Sequence, residues 1–209
     1  MSHTAGTGIR QAQKQKTRQA LLDAALLLLE EQSLSSLGLR EVTRAVGVAP
    51  TAFYRHFRDI PDLGVALVDE ALGSLHATLR TTLAATGDSD ERIAGAVELI
   101  AGLVHAYPAH VRFITRERHG GVQVVREAIG AQLGLFVREV ADELAVQPES
   151  RGWERDDLLM LAGLYVDHMV MTASALLAAG PGEEERERVA RTARRQLRLV
   201  SLGRRHWLD

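Results

Sequence analysis

The sequence has no cysteine, and this absence excludes disulfide bonds, thiolate zinc sites and cysteine nucleophiles together. Aromatic residues are also scarce, at 4% of the chain, whereas alanine, leucine, valine, arginine and glutamate are abundant. Such a composition favours helices over β-sheets. The 5 prolines fall between apolar-periodic segments, where they can begin or end a helix without breaking one. An all-α fold is therefore predicted.

Long hydrophobic runs and familiar catalytic motifs are missing as well. No stretch reaches about 18 consecutive apolar residues, and residues 1–18 lack the apolar segment of a signal peptide. The chain has no Gly-x-Ser-x-Gly elbow, no phosphate-binding glycine loop and no His-Glu-x-x-His pair. His105, His110 and His119 have no standard zinc spacing, because Pro108 interrupts their helix. These observations predict a cytoplasmic protein with no membrane span that is not an enzyme and needs no metal or cofactor.

The charged residues are distributed unevenly along the chain. Residues 1–58 contain 8 Lys/Arg and 4 Asp/Glu, so the remaining residues contain 25 − 8 = 17 and 27 − 4 = 23. The first part is therefore basic and the rest acidic, and Lys14 and Lys16 both lie near the N-terminus. A basic end on an acidic body is typical of a nucleic-acid-binding module, although a solvated helix start would also account for it.

Apolar residues recur every three or four positions along most of the chain, a spacing that predicts amphipathic helices. Residues 1–11 lack this spacing and are expected to be disordered until they meet a partner. The pattern suggests a small module over 1–60 and a larger helical one over 61–209, joined by a long helix. We expect about nine helices, at 12–32, 39–46, 50–57, 61–86, 89–106, 108–118, 122–145, 154–180 and 183–201.

Two short helices in the first module have the pattern of a helix-turn-helix. Gly47 follows the segment 39–46 and can adopt the left-handed conformation that ends a helix. Pro50 then begins a second helix whose Phe53 and Phe57 face one core. The opposite face carries Thr51, Tyr54, Arg55 and Arg58. This geometry would place the second helix in the major groove of DNA.

The run LREVTRAVGVAPTAFYRHFRDIPDL, residues 39–63, resembles the helix-turn-helix of TetR regulators. The resemblance implies a DNA-binding domain with a basic arm over 1–60 and a ligand-binding and dimerisation domain over 61–209. It also implies a pseudo-palindromic double-stranded operator bound by a homodimer, whose recognition helices lie about 34–36 Å apart. The residues implied to contact bases or phosphates are Lys16, Thr17, Arg40, Thr51, Ala52, Tyr54, Arg55 and His56.

Several roles within this set stay open. Arg40 or Arg55 would form the bidentate contact with guanine, and the sequence does not decide between them. His56 would contact a phosphate, or would instead brace Phe53 as a structural histidine. The dimer is expected to form through the helices at 154–180 and 183–201. The side chains expected to face the partner or a pocket are Leu158, Leu161, Ala162, Tyr165, Met169, Thr172 and Leu176.

Three segments are similar to one branch of the family, the acyl-CoA-responsive repressors of unsaturated fatty acid biosynthesis and acyl desaturase genes. They are 11–18, 36–59 and 116–120. The resemblance implies a long-chain acyl-CoA effector, whose methylenes would gain about 0.8 kcal/mol each on burial. Saturated and unsaturated chains would set different spacings of the recognition helices. The ligand-binding residues expected are Leu99, Leu103, Phe113, Val125, Ile129, Leu133, Phe136, Tyr165, His168, Met169, Arg112 and Arg116.

A cluster of basic residues in the second module is a candidate site for the polar part of an acyl-CoA. Arg112, Arg116, Arg118, His119 and Arg126 could contact the phosphates of coenzyme A, or could form a solvated charge run paired with acidic neighbours. Two other functions remain open. One is a TetR-type drug or metabolite sensor that controls efflux genes, and the other is a lipid carrier without DNA activity.

Overall fold

Nine α-helices form the part of the chain that the computed structural model describes, residues 3–73, 75, 76, 78, 81 and 88–207. This part contains no β-strand, so the predicted all-α fold is confirmed. The helices are α1 (His3–Leu28), α2 (Leu39–Val46), α3 (Pro50–Phe53), α4 (Ile60–Leu72), α5 (Ser89–Ala106), α6 (Pro108–Glu117), α7 (Gln123–Ala145), α8 (Arg155–Ala178) and α9 (Glu183–Arg204).

The N-terminal module is three helices around a small apolar core. α1 contributes one buried face, on which Leu21 and Ala25 are fully covered. α2 adds Val42, which is also fully covered, and α3 adds Phe53. Each helix is too short or too polar to be stable alone, so this shared burial provides most of its stability.

The boundaries of α1, α3 and α4 differ most from the prediction. α1 begins at His3, so residues 3–11 are helical and the expectation of a disordered arm is wrong for them. Ala5, Arg10 and Gln11 of that segment are good helix formers, and α1 includes the segment although it has no apolar stripe. α3 ends at Phe53 and is followed by a turn. α4 ends at Leu72 and is followed by a turn at Gly73.

The long helix predicted at 61–86 is therefore interrupted. A Cβ atom at Gly73 would lie 2.5 Å from the carbonyl oxygen of Asp69, a distance that no other residue type tolerates without a shift. The residues 74, 77, 79, 80 and 82–87 of that prediction lie outside the described residues.

Side-chain caps and prolines define where the helices of the second module begin. Asp59 caps α4 by accepting a hydrogen bond from the Asp62 amide at 2.8 Å, and Asp88 caps α5 through Glu91 at 2.9 Å. Each cap satisfies an amide that has no partner within its own helix. Pro108 occupies the first turn of α6, where it lacks only an unneeded N–H group.

α8 lies at the centre of the second module, in contact with α5, α6, α7 and α9. It is long and apolar enough to cross a membrane by length and composition. A core helix passes the same test, and α8 has that position. Its buried residues include Leu158, Leu161 and Leu176.

The two modules share one continuous core. Gly64 of α4 brings the segment after α1 close to α7, since a Cβ there would lie 2.6 Å from Leu34 Cδ2 and 2.8 Å from Val125 Cγ2. Buried side chains extend from Leu21 to Ala162 within one cluster. The rigid packing means that a movement in α6 or α7 would reach the N-terminal helices. The division at residue 60 stays a prediction.

Candidate functional site

The α2–turn–α3 unit is held together by a glycine turn and two phenylalanines. Gly47 has φ 75°, in the left-handed region, and its amide bonds back to the end of α2. Phe53 and Phe57 are 0% and 2% exposed, and their ring centroids lie 5.5 Å apart. The two rings fix α3 against the core, so the opposite face of α3 is presented outward, as predicted.

Five of the eight residues expected to contact DNA are exposed, on α1, on α2 and on the outward face of α3 with the turn that follows it. The side chain of Tyr54 is 62% exposed. Ala52 and His56 are half-buried, and Thr17 uses its hydroxyl to bond the Gln13 carbonyl within α1 at 3.1 Å. Their DNA contacts stay predictions. The exposed members of the set are Lys16, Arg40, Thr51, Tyr54 and Arg55.

His56 lies where the N-terminal arm meets α3. Burial is the main cause that lowers the pKa of His56, and the positive charges of Lys14, Arg18 and Arg55 lower it further. Its Nδ1 atom is buried and has no hydrogen-bond partner. Cations from both α1 and the end of α3 therefore converge on one surface, which suits a polyanion.

Arg18 is a residue that sequence reasoning missed. Its guanidinium lies 4.4 Å from the centroid of the Phe57 ring and donates to the His56 carbonyl at 3.4 Å. The sequence contained a signal: Arg18 precedes Leu22 and Ala25 by one and two helical turns, on the buried face of α1. Arg18 thus fixes the turn after α3 against α1.

The second module encloses a cavity of about 390 Å³. This volume is within the range of about 300–1,000 Å³ that ligand sites occupy. Most of its lining is apolar and comes from α5, α6, α7 and α8. Six of the predicted ligand-binding residues line it: Leu99, Leu103, Leu133, Phe136, Tyr165 and Met169.

The other six predicted ligand-binding residues do not line this cavity. Phe113, Val125 and Ile129 are at most 2% exposed and belong to the core shared with the N-terminal module. α6 and α7 are apolar on two faces, and these three residues lie on the face away from the cavity. His168 is also outside the lining, and its Nε2 atom is buried without a hydrogen-bond partner. Arg112 and Arg116 are the remaining two.

The basic cluster at the end of α6 has a structural role that the sequence did not indicate. Arg116 donates to the carbonyl of Leu29 at 2.7 Å and to that of Gln32 at 2.8 Å, so it binds the end of α1. The neighbouring Glu117 is 1% exposed and accepts a hydrogen bond from the Leu34 amide at 3.0 Å. Two adjacent residues of α6 therefore hold the segment between α1 and α2.

Two other members of this cluster have partners within the fold. Arg118 pairs with Asp167 of α8, and Arg126 donates to the Gly120 carbonyl at 2.6 Å. Arg112 has a buried Nε atom without a hydrogen-bond partner among the described residues. A phosphate would have to displace the contacts of Arg116, Arg118 and Arg126, and a role of the cluster in binding coenzyme A stays a prediction.

Polar groups lie in two places of the otherwise apolar lining. Glu70 lies 3.6 Å from His110 and accepts a hydrogen bond from Gln19 of α1 at 2.9 Å. Arg92 and Arg204 lie beside Gln147. Sequence reasoning missed these residues, because their positions on different helices give no local pattern.

The outer face of α8 is apolar and unlike the face expected from the sequence. Met160, Leu164 and Met171 are 52%, 51% and 66% exposed, and their spacing forms one stripe. Leu199 and Leu202 of α9 are also exposed. Most of the residues predicted to face a partner or a pocket lie inside the chain, because α8 is apolar nearly all round. The buried ones are Leu158, Leu161, Ala162, Thr172 and Leu176, while Tyr165 and Met169 line the cavity.

Residues 21–67 match a family model described as bacterial regulatory proteins, tetR family. The N-terminal domain is of the tetR type. The match includes α2, Gly47 and α3, whose geometry is that of the helix-turn-helix described above. The predicted resemblance to TetR regulators is therefore confirmed for this domain.

Solved structures extend the likeness to the whole fold. The fatty acid degradation regulator FadR from Bacillus halodurans has a TM-score of 0.70 and 14% identity, covering 86% of this chain and 93% of that one. FadR from Bacillus subtilis in complex with stearoyl-CoA has the same score and identity, covering 86% and 96%. NemR of E. coli, in its reduced form, has a TM-score of 0.61 and 17% identity, covering 85% of this chain and 95% of that one. At these identities the likeness shows the fold; the finer desaturase-repressor branch stays a prediction.

The tetR-type domain offers a test of His56. A phosphate beside the ring would favour the imidazolium and oppose the lowered pKa, so duplex binding would take up protons. Duplex affinity is then expected to rise between pH 7.5 and 6, by up to about tenfold per pH unit for each His56 protonated. Fluorescence anisotropy at constant ionic strength measures this, and His56→Gln should remove the rise.

If His56 has only a structural role, its pKa will stay lowered in the complex. Duplex affinity would then not rise as the pH falls. Because the folded-state pKa lies below the unfolded value, stability is full above the unfolded pKa of about 6.5 and decreases as the pH falls. Thermal melting over the same pH range would then show the only effect of this histidine.

Proposed function

We propose that this chain is a transcriptional regulator that binds a pseudo-palindromic operator as a homodimer and changes its DNA affinity when an apolar acyl-type effector enters the cavity. The observation that carries the proposal is the tetR-type helix-turn-helix, whose outward face is polar and cationic while its two phenylalanines are buried. A lipid carrier would need the cavity but not this face.

Homodimer formation is supported by the outer faces of α8 and α9. Their exposed apolar side chains, Met160, Leu164 and Met171 with Leu199 and Leu202, lie on neighbouring helices. Water-exposed methionines and leucines in such a stripe favour pairing with an identical face across a two-fold axis. A two-fold dimer would present two α3 helices to successive major grooves.

The effector is proposed to carry a long-chain acyl group, as an acyl-CoA or a free long-chain acid does. The apolar lining of the cavity supports this class, and stearoyl-CoA is the ligand in the FadR complex that shares the fold. Each methylene moved from water into such a cavity contributes about 0.8 kcal/mol. Long chains are therefore expected to bind more tightly than short ones.

α6 supplies a direct connection between the cavity and the DNA-binding domain. Ile114 and Thr115 line the cavity, and the next two residues, Arg116 and Glu117, hold the segment after α1. Glu70 makes a second connection, because it lines the cavity and accepts from Gln19 of α1. An effector that shifts α6 or α4 would therefore reorient α1 and the attached α3.

The decisive experiment titrates the protein into a labelled duplex from the promoter region of its own gene and follows fluorescence anisotropy at fixed salt. Palmitoyl-CoA and oleoyl-CoA are then added separately. Opposite responses to the two support sensing of acyl saturation, and equal responses refute that part. Tight binding that ignores both would leave a regulator of another effector class, such as a drug.

A substitution in the cavity lining tests whether the response to acyl-CoA arises from binding in the cavity. Ala96→Phe places a large side chain into the cavity lining and should abolish the acyl-CoA response while duplex binding remains. Ala106→Phe, at an exposed position of the same helix, is the matched control and should respond like the original protein. Failure of the unliganded protein to prefer this duplex over a scrambled one would refute the regulator itself.

A further inference from the structure

The part of the cavity between α5 and α9 contains a buried cation. Arg204 is 5% exposed and lines the cavity together with Arg92 of α5. Its surroundings are closed: Leu144, Ser150 and Ser201 are also buried, at 6%, 4% and 6% exposure. A guanidinium in such a place has lost its hydration and needs polar partners.

The fold provides hydrogen-bond acceptors for only some of the N–H groups of Arg204. Its terminal nitrogens donate to Gln147 Oε1 at 2.9 Å, to the Leu144 carbonyl at 3.3 Å and to the Ser150 hydroxyl. Its Nε–H is buried and, among the described residues, has no hydrogen-bond acceptor. All three acceptors are neutral, and among the described residues no carboxylate lies within 4 Å of this guanidinium.

Two guanidiniums, those of Arg204 and Arg92, line this part of the cavity. Burial lowers the pKa of Arg204, and the cations Arg92 and Arg205 act in the same direction. Tyr165 and Glu149 oppose them, and Glu149 is the one nearby carboxylate among these groups. Glu143 also lines the cavity. A ligand anion would provide the acceptor and the negative charge that Arg204 lacks.

We propose that this part of the cavity is a subsite for the carboxylate of a long-chain alkyl acid, with Arg204 as its main ligand and the alkyl chain along the apolar lining. The proposal rests on the proposed function of the cavity as an effector site and names the effector class. A carboxylate is compact enough for the buried surroundings of Arg204, and among acyl compounds the free acid is the one whose chain ends in a carboxylate.

The full-length protein can be tested by direct binding of radiolabelled palmitate, methyl palmitate and palmitoyl-CoA in equilibrium dialysis at submicellar concentrations. Palmitate should bind at least about tenfold more tightly than its neutral methyl ester, as expected for a hydrogen bond to a charged group. Palmitoyl-CoA should bind more weakly than palmitate. Equal affinity for palmitate and its ester, or tighter binding of palmitoyl-CoA, would overturn the carboxylate subsite.

Two variants test whether Arg204 causes the preference for palmitate over its methyl ester. Arg204→Gln should weaken palmitate about tenfold or more and leave methyl palmitate unchanged, whereas Arg205→Gln, the exposed neighbour, should change neither. Equal weakening of both ligands by Arg204→Gln would mean a structural role and contradict the proposal. Circular dichroism checks that the variant folds; if it does not, the preference of the original protein for palmitate still decides.

Duplex binding measured on the same samples separates this proposal from the broader one. A protein that binds palmitate through Arg204 but shows no specific duplex binding would retain the subsite and refute the regulator. A protein that binds its duplex but does not distinguish palmitate from its ester would retain the regulator and refute the subsite.

Discussion

Replacing both Leu164 and Met171 by glutamate is expected to convert the dimer into a monomer and to weaken operator binding by roughly 30-fold or more. Both side chains are more than half exposed on the outer stripe of α8, so the monomer should tolerate the change. In a dimer they would be buried, and four carboxylates within an apolar interface would lose their hydration. A monomer then contacts one half-site and loses about half of the specific binding free energy, which is typically ~4–10 kcal/mol.

Light scattering gives the mass in solution, and anisotropy with the promoter duplex gives the affinity. The matched control is Val124→Glu with Leu135→Glu, two exposed apolar residues of α7 at 48% and 41% exposure. That control should remain dimeric and bind as before. A Leu164/Met171 variant that stays dimeric would place the interface elsewhere on the molecule.

Arg55→Ala should cause the second largest loss, again roughly 30-fold or more in affinity for the specific duplex. Arg55 is exposed next to the end of α3, on the polar surface opposite Phe53. A bidentate arginine–guanine contact is worth about 1–3 kcal/mol, and a dimer makes it twice. The reduction should be much smaller for a scrambled duplex, because base contacts carry the sequence preference.

The same measurement separates base contacts from phosphate contacts. If Arg55 bonds a phosphate, the loss will be similar on every duplex and the salt dependence will become shallower by about one unit per contact. Arg40→Ala, tested in parallel, then shows which arginine reads a base. Arg151→Ala removes an exposed charge from the far module and should leave affinity nearly unchanged.

The helix-turn-helix could be predicted because its signals are local. Gly47, Pro50 and the pair Phe53 and Phe57 lie within eleven residues, and backbone conformation and helical periodicity link each of them to one structure. The structure gives Gly47 the expected positive φ and buries both phenylalanines. The family match covers the same segment.

The residues that line the cavity were predicted less well, and the reason is visible on α6 and α7. Both helices are apolar on two faces, one toward the cavity and one toward the N-terminal module. Periodicity shows that Leu133 and Ile129 are apolar, but not that the first lines the cavity and the second belongs to the shared core. Arg116 was misread likewise, because its acceptors on Leu29 and Gln32 are more than 80 residues away.

The sequence by itself determined the all-α class, most helix positions and the orientation of α3, since these depend on composition, caps and short-range spacing. Only the tertiary structure decided which apolar faces enclose the cavity, which face of α8 stays outside and where Arg204 becomes buried. These features arise between helices distant in the chain, where a side chain's environment is set by the neighbours that pack against it. No local pattern records those neighbours, so the cavity and its buried cation emerge only when the helices meet.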